Sequence, residues 1–217
     1  MVSLISKARH SRMLTIILIS FASGLPYMLT SQTLQLCFAS QGYDIKMMKL
    51  LGLMGLPYSL KFLWAPFFDR YSLKGGERRR VWVVFFQAVM AMLIVLIGCM
   101  SNLRQSFSFS LYAGERFHLY FYQIVLVLAF ILAFVSASQD VVIDAYRADF
   151  LSEKERALGA TYTQVSYRIA LLIGFSFVSV IGAEVGWVYA YLFAALLMMA
   201  CLSYSIFVLP NMHSDNS

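Results

Sequence analysis

Six apolar stretches, each near the ~20 residues that carry a helix across a bilayer, take up most of this 217-residue chain. They cover residues 13–38, 48–68, 81–100, 119–146, 158–181 and 185–209. In hydrocarbon the backbone must satisfy its own N–H and C=O groups, which leaves only helices and closed barrels. No stretch alternates apolar and polar residues over a strand's length, so the segments are expected to be helices. The fold class predicted is an all-α integral membrane protein with six transmembrane helices. Only 13% of the residues are charged, against about 25% in soluble domains, which agrees with that reading.

The net charge of +6 does not imply nucleic acid as a partner, because the basic residues are spread between apolar stretches. They instead orient the chain in the lipid bilayer. Residues Lys7, Arg9, Arg12, Arg70, Lys74, Arg78, Arg79, Arg80, Arg147, Lys154 and Arg156 fall on one side, and Lys46, Lys49, Arg104 and Arg116 on the other. That bias predicts both termini in the cytoplasm. Trp82 and Trp187, at span ends, are expected in the headgroup layer. Residues 1–12 are read as a cytoplasmic N-terminus, 13–209 as the six-span body and 210–217 as a disordered cytoplasmic tail. Lys7, Arg9 and Arg12 before an apolar run resemble a signal peptide, but the run continues to Phe38, so an uncleaved first span is expected. Cys37, Cys99 and Cys201 lie far apart inside apolar runs, which fits neither a disulfide framework nor a metal site.

The chemistry concentrates in SASQDVVIDAYRAD, from Ser136 to Asp149. At 100° per residue, Ser136, Asp140, Asp144 and Arg147 share one side of a helix, whereas Asp149 points away. Charges in a spanning helix usually face a bundle interior or a watery cavity. Rise per residue puts Lys61 about 12 Å deep, Asp140 about 13 Å and Arg168 about 15 Å, so three spans contribute to one polar layer. One cation is then in excess. Arg168 cannot lose its proton and suits bidentate contact with a carboxylate or phosphate. Gln164 and Thr161 lie one and two turns before it on the same face. Two carboxylates a turn apart, Asp140 and Asp144, cannot both be ionised cheaply at low dielectric, which suits the uptake and release of a proton. A structural tie between spans four and five is the competing reading. An enzyme is disfavoured, since no nucleophile–base pair, metal cluster or phosphate-cradling loop can be assembled; no catalytic or metal-binding residue is expected.

Asp69 and Arg70 close span two, and Arg78, Arg79 and Arg80 open span three, a pattern that resembles the cytoplasmic loop of the major facilitator superfamily. The resemblance implies a charge latch at the inner gate, joined by Arg147. Within that superfamily, FASGLPYMLTSQTLQ, KFLWAPFFDRY, SASQDVVIDAYRAD, ERALGA and YRIALLIG together resemble AmpG-type muropeptide permeases, over residues 21–173. This implies proton-coupled import (symport) of anhydro-muropeptides across a bacterial inner membrane for peptidoglycan recycling. The proton gradient drives it and no cofactor is needed. The implied partner is an anionic glycopeptide bound near Lys61, Gln139, Asp140, Asp144, Gln164 and Arg168. The eukaryotic acetyl-CoA transporters resemble the same branch, so another anionic solute such as an acyl-CoA is an alternative cargo.

A major facilitator holds its substrate between two six-helix halves, and this chain corresponds to one half of such a fold. The expectation is a truncated product that does not transport, a membrane fragment or scaffold. Pairing with a second half, or as a homodimer, is the alternative.

Overall fold

A computed structural model describes residues 2–44, 48–70, 78–108 and 115–209, and the side chains of 11–44, 48–68, 70, 79–101 and 120–209. Its elements are α1 (Val2–Met28), a π turn at Leu29–Thr33, α2 (Leu34–Ser40), a 3-10 turn at Lys49–Gly55, α3 (Leu56–Leu60), a 3-10 turn at Lys61–Leu63 and α4 (Ala65–Arg70). Then come α5 (Arg78–Ser108), α6 (Glu115–Phe150), α7 (Glu153–Leu172), a second π turn at Ile173–Phe177, α8 (Val178–Glu184) and α9 (Trp187–Phe207). The described residues contain no strand. Among the described residues, five helices are long and apolar enough to cross a membrane: Ser11–Ser40, Arg79–Ser101, Tyr120–Phe150, Glu153–Glu184 and Trp187–Phe207.

The expected second span is the exception. Residues 48–70 form a succession of short helical turns and not one helix. Pro57 and Pro66 have no N–H to give to the preceding turn, and Gly52 and Gly55 add backbone freedom. In α1 the chain continues through Pro26, and the irregularity is displaced to the π turn three residues later.

The first span forms the centre. Of its most apolar window 67% is buried, against 33% for the fifth span. Small residues bring the helices close. A Cβ on Gly24 would stand 2.9 Å from the backbone oxygen of Tyr167 in α7, and one on Gly98 of α5 2.8 Å from Cβ of Tyr191 in α9. The two π turns meet where Thr33 Oγ1 donates to the Gly174 carbonyl at 2.7 Å, occupying an acceptor that the widened turn frees.

At the basic end, an aromatic stack of Phe68, Trp82 and Phe86 fastens α4 to α5, with ring centroids 5.1–5.4 Å apart. Both tryptophans expected at span ends pack between helices. Trp82 is buried in that stack, and Trp187 is buried over Gly182 with Nε1 donating to Ser40 Oγ at 2.8 Å. Cys37 and Cys201 are buried and Cys99 is exposed. The tail at 210–217 lies outside the described residues.

Candidate functional site

Three elements meet at Asp140, in the C-terminal third of α6. Ser23 of α1 donates a hydrogen bond to Asp140 Oδ1. From the 3-10 turn of the second segment, Lys61 Nζ stands 3.5 Å from Asp140 Oδ2 and 4.0 Å from Asp144 Oδ2. Arg147 holds Asp144 Oδ1 at 3.1 Å. Two cations thus face two carboxylates, and the cluster is neutral. Lys61 lies between the two acids, which is what makes a pair of carboxylates one turn apart tolerable.

At an effective dielectric near 20, the 3.5 Å contact gives about 5 kcal/mol of gross attraction. Desolvation takes back several kcal/mol per ion, so the cluster fixes positions more than it stabilises the fold. The Asp140 side chain is 12% exposed and that of Asp144 54%, so Asp140 is the inner member and Asp144 the outer. The cluster lines a cleft of about 360 Å³, completed on the α7 side by Thr163, Gln164 and Tyr167.

Arg168 does not join this cluster. It is one step of 100° past Tyr167 and lies on the exposed face of α7, where with Thr161 and Gln164 it lines a neighbouring open cleft of about 420 Å³. The layer expected from Lys61, Asp140 and Arg168 is therefore divided in two, with Gln164 bordering both clefts. Arg168 has no ion pair among the described residues, so the excess cation anticipated from the sequence is this one. Gln139 is fully buried and turned away from the cleft, and neither atom of its amide has a partner among the described residues.

Of the expected latch residues, the side chains of Asp69 and Arg78 lie outside the described ones, and Arg70 is exposed. Arg79 bonds to the Asp149 carboxylate and donates to the Ala145 carbonyl at 2.5 Å. The direction of Asp149, opposite to Asp140, thus serves to tie α6 to α5. Arg80 donates to the Ile206 carbonyl at 2.7 Å, joining α5 to α9.

Two features escaped the sequence reading. Ser23, the hydrogen-bond donor to Asp140, is marked only by a three- to four-residue spacing of polar side chains along the first span. Glu155 pairs with Arg12 at 3.0 Å while closing a capping box with Ser152, whose Oγ donates to Glu155 Oε2 at 2.8 Å. The Ser152-x-x-Glu155 spacing was the available signal.

A family model described as acetyl-coenzyme A transporter 1 matches residues 13–208. The chain belongs to that family. The anhydromuropeptide permease of Escherichia coli K12 is 33% identical over 89% of this chain and 36% of its own length. An uncharacterized protein of Haemophilus influenzae is 34% identical over 95% of this chain and 45% of its own length. A Rickettsia typhi protein provisionally named as an AmpG transporter is 29% identical over 85% and 41%. The AmpG-type resemblance read from residues 21–173 is thereby shown. This member of the acetyl-coenzyme A transporter 1 family spans less than half the length of the relatives it matches.

Proposed function

We propose that this chain is the site-bearing, six-helix half of a major facilitator that imports anhydro-muropeptides with protons. The observation that carries the reading is the cluster of Lys61, Asp140, Asp144 and Arg147 in one cleft, with an unpaired Arg168 on the adjoining face. Asp140 is the proton carrier. It is the more enclosed acid, and its counter-ion Lys61 stands on an interrupted segment that can move without breaking a long helix. Protonating Asp140 releases Lys61, and the freed ammonium then attracts a carboxylate from solute. Arg168 and Gln164 hold the anionic end of that solute, through a guanidinium fork and an amide. The basic end faces the cytoplasm of a bacterial cell, in keeping with the distribution of Lys and Arg.

Proteoliposomes carrying the chain are expected to take up labelled anhydro-muropeptide when a proton gradient is imposed. Asp140→Asn should abolish that uptake. Uptake that ignores the gradient, or that survives Asp140→Asn, would overturn the assignment. The family description favours a second reading, in which the cargo is an acyl-CoA. Excess acetyl-CoA competing with the labelled solute would support it.

A further inference from the structure

Along the first span, Ser20, Ser23, Tyr27, Ser31 and Gln35 recur every three or four residues on one side. Ser20 and Ser23 line the Lys61–Asp140 cleft. Ser31 and Gln35, with Gln32 and Lys49, line another cleft of about 270 Å³ toward the opposite end of the bundle. Tyr27 lies between the two, meeting Tyr58 of α3 edge to face with ring centroids 4.8 Å apart and planes at 87°. Each cleft is closed on its far side by a 3-10 turn of the second segment, one bearing Lys61 and the other Lys49.

The residues of this second cleft are not structural ties. Ser31 satisfies its hydroxyl on the Tyr27 carbonyl at 2.7 Å. Gln32, Gln35 and Lys49 are exposed, and among the described residues neither amide nor the ammonium has a partner. Gln32 and Gln35 belong to a span, where an unpartnered amide is costly unless it faces water or a ligand, and Lys49 stands beside them at the start of the 3-10 turn. Each amide offers a donor and an acceptor, while the ammonium offers a positive charge and donors only. A volume of about 270 Å³ falls just below the ~300–1,000 Å³ of small-molecule sites, so the cleft takes one part of a larger solute.

We infer that Ser31, Gln32, Gln35 and Lys49 form a separate binding site for amide- and hydroxyl-bearing anionic solutes, with a solute carboxylate on Lys49 and its amides on the two glutamines. The Tyr27–Tyr58 contact divides this site from the Lys61–Asp140 cleft. Only the class of solute rests on the transport reading; occupancy can be measured without transport.

The test uses the full chain in nanodiscs with Cys37, Cys99 and Cys201 replaced by alanine. A single thiol is introduced as Gly52→Cys, on the wall of this cleft where a side chain meets open space, in one protein and as Thr163→Cys, in the Lys61–Asp140 cleft, in another. Labelling by a hydrophilic maleimide is timed with and without muramyl dipeptide, an acetamido sugar acid joined to a dipeptide. Muramyl dipeptide should slow labelling at both positions about fivefold or more. Lys49→Met should remove the protection at position 52 and keep it at position 163, and Lys49→Arg should restore it at 52. Protection at 163 alone would overturn the second site while leaving the inner cleft intact. A Lys49→Met change that affects both positions, or neither, would also overturn it. Protection at 52 alone would uphold the second site and count against the inner-cleft reading.

Discussion

Asp140 touches a serine from one element and a lysine from another, and each contact has a different consequence when removed. Lys61→Met leaves a carboxylate with 12% exposure facing only the Ser23 hydroxyl, and the thermal midpoint should fall by the equivalent of about 1–3 kcal/mol. The partial exposure of Lys61 keeps this below the 3–5 kcal/mol typical of fully buried pairs. The double change Lys61→Met with Asp140→Leu removes both charges, and stability should return close to that of the parent. A structural tie and a transport site then separate cleanly. If the pair only held helices together, uptake would return with stability; for a proton-carrying site, uptake stays lost in the stable double variant.

At the scale of elements, the fifth span begins with a capping box whose acid also holds the first span. Ser152→Ala removes a side-chain acceptor at the N-terminus of α7 and should cost about 1 kcal/mol, seen as faster hydrogen exchange over its first turn. Glu155→Ala should cost more, because Arg12 loses its partner as well. The packing of α5 on α9 gives a stronger prediction. Gly98→Leu would drive a side chain into Tyr191, where even a Cβ comes within 2.8 Å, and overpacking of this kind costs about 1–3 kcal/mol. Gly98→Ala should fall between the two. If Gly98→Leu unfolds at the same temperature as the parent, the close approach of these helices is wrong.

For the molecule as a whole, the question is which surface meets lipid and which meets water. The fifth span is the least buried of the five and carries Thr161, Gln164 and Arg168 on its open side, whereas Leu196 on α9 is 65% exposed among apolar neighbours. Burying an unpaired guanidinium in hydrocarbon is expensive, so the α7 face should be wet. In a chain stripped of its native cysteines, Arg168→Cys is expected to react with a hydrophilic maleimide at least tenfold faster than Leu196→Cys. Equal, slow labelling at both positions would place the α7 face in lipid and remove the basis for a solute path there.

The sequence by itself determined the membrane class, five of the six spans expected from it and the side of α6 that carries Asp140, Asp144 and Arg147. Hydropathy and a 100° turn are local properties, and they need no knowledge of neighbours. It also marked Lys61 and Arg168 as cations deep in apolar segments, where a charge always demands an explanation. Only the tertiary structure decided that Lys61 meets both aspartates while Arg168 does not reach them. A depth counted along a helix fixes height and leaves rotation and neighbour open, and one 100° step separates Tyr167 in the cleft from Arg168 outside it. The burial of Trp82 and Trp187 has the same origin, since it depends on what stands across the interface, which no single stretch of sequence contains. The broken second segment differs, because its cause, Pro57 and Pro66 with Gly52 and Gly55, is local.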